Sequence, residues 1–252
     1  MKSIIFIFPF LCFSQNIKVN YTFTTTSYQK QETLIANSNS SYYYNEPYAG
    51  LNNAKDRVEG TEITLVQKKI KLSKIEFYQN KESQTILYQL KYKDERRLIT
   101  DSVPDINWTI DKNKSKQING YTCNMATTHF RGRDYEAWFT PEIPITFGPF
   151  KFKGLPGLIL TLNSIGDNYK KSWIATKITT VDEKFPIPPI CEDCTNMTLR
   201  EFVEYKQNLR KEASKVSVSR LPKAYSNTTT TFTRNSIETI YEWEKEYDEE
   251  KK

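Results

Sequence analysis

From residue 17 onward the chain alternates apolar and polar residues, and this two-residue period constrains the fold most. Residues 17–23 read Ile-Lys-Val-Asn-Tyr-Thr-Phe, a pattern typical of a strand with one buried and one exposed face. Short turn-like segments separate further runs of this kind, which predicts a mainly β (α+β) fold: an antiparallel meander that forms a curved sheet or half-barrel. The predicted strands are 17–23, 33–44, 75–79, 85–92, 97–103, 108–110, 121–130, 135–140, 158–162 and 169–178, with a loop at 45–60.

Beyond residue 189 the pattern changes to helical spacing. Thr198 and Glu201 have the spacing of a capping box, in which each side chain accepts a hydrogen bond from the other residue's backbone N–H. Apolar residues follow at helical intervals, so we predict a helix over 198–214. A polar strand or linker is expected at 227–233, and residues 235–252 are expected to form an acidic C-terminal helix or tail. We predict one domain over residues 16–234.

The first fifteen residues predict export. Lys2 precedes an apolar run that extends to Phe13 and is interrupted by Pro9 and Cys12. A run of about ten residues is too short to span a membrane and fits the core of a cleavable signal peptide. Residue 11 is a leucine, whereas lipoprotein processing needs a small residue before the cysteine. We therefore expect residues 1–15 to be removed, leaving a periplasmic, outer-membrane-associated or secreted protein with no transmembrane segment.

The charge is unevenly distributed along the chain. The formal net charge is +6, yet residues 235–252 contain seven acids against three lysines, a net of −4. The rest of the chain is therefore strongly basic, and it could contact an anionic lipid surface. Alternatively, the lysines keep the protein soluble and protect the sheet edges. Nucleic acid is not an expected partner, because the chain carries an export signal and no recognisable binding motif.

Residues 154–159 read Gly-Leu-Pro-Gly-Leu-Ile and predict a sharp corner. Pro156 presets φ at the second turn position and Gly157 supplies positive φ at the third, which predicts a type II turn. A second corner six residues earlier would fold the intervening segment into an arch. The predicted turn residues are Gly148, Pro149, Gly154, Pro156 and Gly157. The apolar residues of the arch either plug the core or form a ligand-binding lip, and they are Phe150, Phe152 and Leu155.

The motif stands within a longer series of short segments. These are 106–108 (Ile-Asn-Trp), 120–123 (Gly-Tyr-Thr-Cys), 130–133 (Phe-Arg-Gly-Arg), 137–140 (Ala-Trp-Phe-Thr), 142–144 (Glu-Ile-Pro) and 148–152 (Gly-Pro-Phe-Lys-Phe). In this order and spacing the series resembles the GLPGLI family of exported bacterial proteins, over residues 105–165. That family has no established activity. We also expect a curved sheet like that of periplasmic lipoprotein carriers, which is an architectural analogy and carries no function.

The polar residues of this region offer weak candidates for a site. His129 stands beside two arginines, which favours a surface residue over a base or metal ligand. Arg131, Arg133 and Glu142 belong to the family-like series and are the polar candidates for ligand binding. We expect the two arginines to form ion pairs with Asp134 and Glu136. These carboxylates could otherwise serve a hydrolase, which needs two acids in one cleft.

Three cysteines remain after removal of the signal peptide. The spacing of Cys191 and Cys194 fits a disulfide in an oxidising compartment, and a thiol-based metal site is the alternative. Cys123 lies within a predicted strand and is left over. The sequence thus predicts a non-catalytic cell-envelope protein that binds a hydrophobic or amphiphilic ligand, or an envelope protein, through one sheet face. No cofactor is expected, and the alternative is a hydrolase with carboxylates near 131–142.

Overall fold

A computed structural model shows how these segments fold. It describes residues 15–46, 48–59, 62–72, 74–166, 170–182, 184–186, 191–219 and 236–244, with only the backbone for 48–59, 62–72 and 216–219. The predicted signal peptide up to residue 14, the linker at 227–233 and the tail beyond residue 244 lie outside the described residues.

Fourteen strands and one long helix follow one another along the described chain. They are β1 (Asn16–Thr25), β2 (Gln29–Ala36), β3 (Ser40–Asn45), β4 (Tyr48–Glu59), β5 (Glu62–Leu72), β6 (Ile75–Asn80), β7 (Thr85–Tyr92), β8 (Glu95–Ser102), β9 (Thr109–Ile118), β10 (Tyr121–Phe130), β11 (Arg133–Thr140), β12 (Leu158–Ile165), β13 (Lys171–Val181), β14 (Thr195–Thr198) and α1 (Leu199–Ser219). Residues 242–244 form one further helical turn.

Twelve strands form one sheet, in the order β14-β8-β7-β6-β3-β2-β1-β13-β12-β11-β10-β9. Its strands pair antiparallel, except that the short β14 runs parallel to β8. Strands β4 and β5 form a separate two-stranded sheet. The mainly β, antiparallel prediction is confirmed.

One face of the sheet, here called the inner face, is apolar because alternate residues of each strand point to it. A cross-strand row runs over β2, β3, β6, β7 and β8. All of its members are buried, and each contributes about 1.5–3 kcal/mol by leaving water. They are Leu34, Tyr43, Phe77, Tyr88 and Ile99. The outer face is polar. On it, Gln31 Nε2 of β2 donates a hydrogen bond to Thr22 Oγ1 of β1 at 3.1 Å.

Two predictions for residues 33–60 were wrong. The single strand predicted at 33–44 is interrupted by a turn, in which Asn37 Oδ1 accepts hydrogen bonds from the backbone N–H groups of Asn39 and Ser40, both at 2.9 Å. The predicted loop at 45–60 contains β4, which pairs with β5. Its glycine and asparagine residues had favoured a loop, but pairing with a neighbouring strand overrides such weak propensities.

The large sheet is strongly curled. Arg131, in the turn between β10 and β11, forms an ion pair with Asp101 of β8 at 2.9 Å. Strands β8 and β11 are eight positions apart in the sheet, which corresponds to roughly 38 Å in a flat sheet at about 4.8 Å per strand. The two ends of the sheet must therefore approach each other across the inner face, which becomes the interior of a bowl.

The predicted helix is α1, and it extends to residue 219 instead of 214. Its capping box is formed, because Thr198 N donates to Glu201 Oε2 at 2.7 Å and Glu201 N donates to Thr198 Oγ1 at 3.2 Å. The helix packs on β8, where the Arg97 guanidinium lies 4.4 Å from the centre of the Tyr205 ring. Among the described helices, none is long and apolar enough to cross a bilayer.

Candidate functional site

Residues 146–158, here called the arch, cover part of the inner face. The arch is a small hairpin, in which Gly148 N donates to Phe152 O and Gly154 N donates to Thr146 O, both at 2.8 Å. Trp108 Nε1 supports it by donating to Lys153 O at 2.9 Å. The hairpin directs its aromatic side chains towards β13, so the arch fills the bowl from one side.

The corner at Pro156 and Gly157 differs from the predicted type II turn. Gly157 N donates to Leu155 O at 2.8 Å, which is a three-residue γ-turn, and Leu158 N donates to Ile143 O at 3.0 Å. Gly157 has φ of 156°, far from the value of about 80° that a type II turn requires. A Cβ at this position would lie 2.1 Å from Thr140 O. Glycine is thus needed mainly because two backbone segments touch there.

The three apolar arch residues occupy core positions. Phe152 and Leu155 are fully buried, and Phe150 is half-buried. The Phe152 ring lies 4.7 Å from that of Tyr135, and the Phe150 ring stacks on Trp173 at 6.4 Å. In this closed arrangement the arch plugs the core, and Phe152 and Leu155 offer no exposed surface to a ligand.

Five charged side chains meet between the arch and the two ends of the sheet, and we call them the interior ion cluster. The members are Asp101, Arg131, Lys151, Glu238 and Glu242. Arg131 donates to both carboxylate oxygens of Asp101, at 2.9 Å each, and to Glu242 at 3.0 Å, and it also contacts Glu238. Lys151 contacts Asp101 Oδ2 at 2.7 Å and both Glu238 oxygens at 2.9 Å. Apart from the half-exposed Glu242, these side chains are almost inaccessible to water.

Burial and charge act against each other in the cluster. Burial alone would raise the pKa of Asp101, but the Lys151 ammonium and the Arg131 guanidinium outweigh it and hold the pKa below its ordinary value. The pKa of Arg131 is raised because its carboxylate partners offset its burial. Burial, assisted by the Glu238 and Asp101 carboxylates, raises the pKa of the neighbouring Tyr88. Asp101 and Arg131 are therefore charged over the physiological range.

Residues 236–244, here called the strap, bring two of the acids into the cluster. The strap docks on the turn between β10 and β11, where Thr239 N donates to Arg131 O at 2.9 Å and Arg133 Nη2 donates to Ser236 O at 3.0 Å. Gly132 permits this contact, because a Cβ there would lie 2.4 Å from Thr239 Oγ1. The Arg-Gly-Arg segment of the family-like series thus holds the strap.

The ion pairs predicted for the two arginines were therefore wrong. Arg133 lies on the inner face of β11. Its predicted partners Asp134 and Glu136 lie on the outer face, since neighbouring strand residues point to opposite sides. Asp134 instead contacts His129 Nδ1 at 2.7 Å, and Glu136 accepts a hydrogen bond from Trp138 Nε1 at 2.8 Å. Asp134 and Glu136, two of the carboxylates near 131–142 considered for a hydrolase, are thus engaged on the outer face.

A cleft of about 540 Å³ leads from solvent to the ion cluster. It lies between the end of β8, the start of α1 and the strap. Its walls are apolar at Val103, Leu199 and Trp243, and Asp101 and Glu242 also line it. A ligand with an apolar part could therefore reach the buried acids by this route.

A second, polar groove of about 460 Å³ lies at the ends of β10 and β11. His129 and Asp134 both line it, and both are exposed. Threonines 109 and 127 and Asn107 also line it. The Asp134 carboxylate can hold the imidazole in one orientation, which is the arrangement of a base and its orienting acid.

Another buried acid lies on the inner face, at Glu32 of β2. Its carboxylate accepts hydrogen bonds from Trp173 Nε1 at 2.7 Å and from the Tyr43 hydroxyl, and it pairs with Lys30 at 2.7 Å. Burial raises its pKa, although Lys30 opposes this effect. Neither this acid nor Asp101 was singled out by the sequence. Each stands within an alternating strand, where a charged residue at an apolar position was the available signal.

The remaining candidates have structural contacts. Glu142 is exposed, and its Oε1 accepts a hydrogen bond from Thr122 N at 2.7 Å. Cys191 and Cys194 form the predicted disulfide, so their sulfurs are not available as thiolates for a metal. Cys123 is a buried free thiol. Among the described residues, no three histidine, cysteine or acidic side chains are grouped to hold a metal ion.

Comparison with protein families finds similarity over a short stretch. The model of a family described as "Protein of unknown function (Porph_ging)" matches residues 130–161. The match lies within the region that resembles the GLPGLI family, and it includes the Arg-Gly-Arg turn and the arch with Lys151. Over this stretch the chain is similar to an uncharacterised family. No curated protein matches the chain.

Comparison with solved structures finds the same fold in PNGF-II. Two crystal forms of PNGF-II are each 14% identical to this chain, with TM-scores of 0.54 and 0.50. The match covers 76% of this chain but only 33% and 32% of PNGF-II. The chain therefore spans about a third of the length of the structures that it matches, and at this identity the likeness concerns the fold alone.

Proposed function

We propose that this chain is an exported, non-catalytic protein of the cell envelope that binds an amphiphilic ligand on the inner face of its curled sheet. One observation carries the proposal: arch and strap cover an aromatic interior through side chains and buried ions, without joining the large sheet as strands. Phe77 and Trp173 lie beneath this cover and contact Phe150 of the arch at ring distances of 5.2 and 6.4 Å.

Such a cover can open at moderate cost. Desolvation of buried ions offsets most of their mutual attraction, so the cluster contributes less net stability than its many contacts suggest. The strap adds two backbone hydrogen bonds to Arg131 O. A ligand that binds only the open state draws the equilibrium towards it by mass action. An acyl chain would then replace the arch aromatics against the inner face.

Export is supported by two features of the chain. The first is the signal-like N-terminal run, and the second is the Cys191–Cys194 disulfide, a bond that persists in oxidising compartments. In PNGF-II the same fold occupies about a third of a longer chain, so it occurs as a module beside other parts. These features support an exported protein of the cell envelope.

A second candidate function is a hydrolase centred on the polar groove, and the His129–Asp134 contact at 2.7 Å favours it. Against it, both side chains are exposed on an open face, whereas a catalytic pair works best where water is excluded.

The test is quenching of tryptophan fluorescence by 12-bromododecan-1-ol, an uncharged amphiphile, with the mature chain of residues 16–252. We expect saturable quenching in the parent protein. Glu238→Gln removes charge from the partner of Arg131 and Lys151, so it should favour the open state and tighten binding about tenfold, equivalent to 1.4 kcal/mol. A chain truncated after residue 235 should bind at least as tightly.

Asp134→Asn is the matched control, because it removes the same charge from the outer face and should leave the affinity unchanged. If neither the parent nor the two cover variants show saturable quenching, the proposal is wrong. If Asp134→Asn tightens binding as much as Glu238→Gln, net charge explains the effect and the cover does not. Loss of a hydrolytic activity in Asp134→Asn, with no ligand binding, would establish the hydrolase instead.

A further inference from the structure

The Lys151 ammonium lies in a cage of acids and aromatic rings. Its Nζ atom is 2.7 Å from Asp101 Oδ2 and 2.9 Å from each Glu238 oxygen. The same atom is 5.0 Å from the centre of the Tyr88 ring and 5.9 Å from that of Phe77. Rings within about 6 Å of a cation attract it through their electron-rich faces.

One ring of the cage, Phe150 with its centre 5.1 Å from Nζ, belongs to the arch, and the other walls belong to the sheet and the strap. Phe77, Tyr88 and Asp101 stand on the adjacent strands β6, β7 and β8. Phe77 and Tyr88 are direct cross-strand partners, as are Ile86 and Asp101. Withdrawal of the arch would remove Lys151 and leave the inner-face walls in place.

A buried acceptor in the same cross-strand row as Asp101 has no hydrogen-bond donor among the described residues. Gln79 lies opposite Ile86, which in turn lies opposite Asp101, so Gln79 and Asp101 share one row of the inner face. Gln79 is 2% exposed, and its Nε2 donates to Phe150 O at 3.4 Å. Within the described part of the chain its Oε1 atom accepts no hydrogen bond. Such an unused buried acceptor carries a desolvation cost, which an incoming N–H donor would relieve.

The charge balance of the open state also favours a cation. Without Lys151 the cluster contains three acids, Asp101, Glu238 and Glu242, against the single positive charge of Arg131. The cleft between α1 and the strap has apolar walls and is lined by two of these acids, Asp101 and Glu242, and also by Arg200. A cation with an apolar tail therefore matches both the charge and the access route.

From these contacts we infer that the cage binds the primary ammonium group of an amphiphile, and that Lys151 occupies the site while the arch is closed. Three carboxylate oxygens surround Nζ, and they match the three N–H donors of a primary ammonium. A trimethylammonium group would use the rings but not the oxygens. The inference rests on the proposed function, because it names the head group that the inner face accepts.

The first experiment is chemical rescue of the cage. Lys151→Ala should lower the midpoint of thermal unfolding, and propylammonium chloride should restore at least half of the loss in a saturable manner. Sodium chloride and tetramethylammonium chloride at equal ionic strength should restore much less. Lys151→Met, which keeps an apolar stem, serves if the alanine variant does not fold. Equal effects of all three salts would refute the cage.

The second experiment compares head groups on one chain length, by displacement of bound 12-bromododecan-1-ol. Dodecylammonium should bind about tenfold more tightly than dodecyl maltoside in the parent, and Lys151→Met should widen that ratio. Phe77→Leu should narrow it, since the ring is lost. If both amphiphiles bind equally in every variant, the cage is refuted while the proposed function stands. If no amphiphile binds, the proposed function fails, whatever the result of the rescue.

Discussion

Replacement of Gly157 should destabilise the fold far more than a turn position normally does. A Cβ there would lie 2.1 Å from Thr140 O, 2.6 Å from Thr140 C and 2.9 Å from Pro141 Cα. All three are backbone atoms, so no side chain can rotate away, and the end of β11 must move. Overpacking of this kind and backbone strain together give about 2–4 kcal/mol for Gly157→Ala. Gly157→Val adds a branched side chain and should lose the most.

Two neighbours in the same arch provide matched comparisons. Gly154 has φ of +98°, but the nearest atom to an added Cβ is Trp108 Cδ1 at 3.8 Å. Gly154→Ala should therefore show only the conformational penalty of about 1 kcal/mol. Pro156→Ala removes rigidity from the unfolded chain alone and should cost about 0.4–1 kcal/mol.

The measurement is urea unfolding monitored by tryptophan fluorescence. The free energy of unfolding is calculated with one common slope against urea concentration for all variants. The expected order of loss is Gly157→Val, Gly157→Ala, Gly154→Ala and Pro156→Ala. The folded fraction of each variant should still bind 12-bromododecan-1-ol. If Gly157→Ala costs no more than Gly154→Ala, the backbone contact is not what requires glycine. If Gly157→Val keeps its stability and loses binding, the corner is a functional surface instead.

Three further outcomes are expected. The intact mass of the exported protein should place its N-terminus between residues 15 and 17 without a lipid, and an acylated Cys12 would contradict this. Thiol counting should find one reactive thiol per denatured chain and none in the native one, because Cys123 is buried and burial raises its pKa to about 11; three thiols after denaturation would disprove the disulfide in the exported protein. The lowered pKa of Asp101 stabilises the fold above its ordinary value of 3.8, and this contribution disappears as pH falls through the lower folded-state value. As pH falls below about 4, the free energy of unfolding should thus decrease less steeply in Asp101→Asn than in the parent protein. Equal slopes against pH in the two proteins would contradict the ion pair.

The strands were predictable where burial alternates along a segment. β10 was predicted to the residue, because Asn119-Gly120 and Arg131-Gly132 mark its ends and its residues alternate between them. β4 was missed because its glycine, asparagine and charged residues have no such alternation, and its pairing with β5 is a property of two segments together. A curved sheet was expected, but the contact between Arg131 and Asp101 that closes it was not, since it joins residues 30 positions apart on opposite ends.

The site was only partly predictable. The arch was identified from its prolines and glycines, yet its contacts with Thr140 and Trp173 depend on tertiary packing. Arg131 was chosen as a binding candidate from the family-like series, and the structure shows that it pairs inside the protein. The sequence showed an acidic C-terminal segment and a basic remainder, but a contact between the two was not predicted. Which acid meets which base could not follow from composition, because Lys151 and Glu238 are 87 residues apart.

The late position of the strap in the sequence also sets the order in which the interior ion cluster forms. A chain that leaves the ribosome or the export channel N-terminus first presents Asp101, Arg131 and Lys151 before Glu238, which follows Arg131 by 107 residues. Contacts over such separations form late, because they must close a long loop. Before the strap emerges, the cluster contains two cations, Arg131 and Lys151, against one acid, Asp101. The cluster should therefore be completed late in folding, when Glu238 docks beside Arg131 and Lys151.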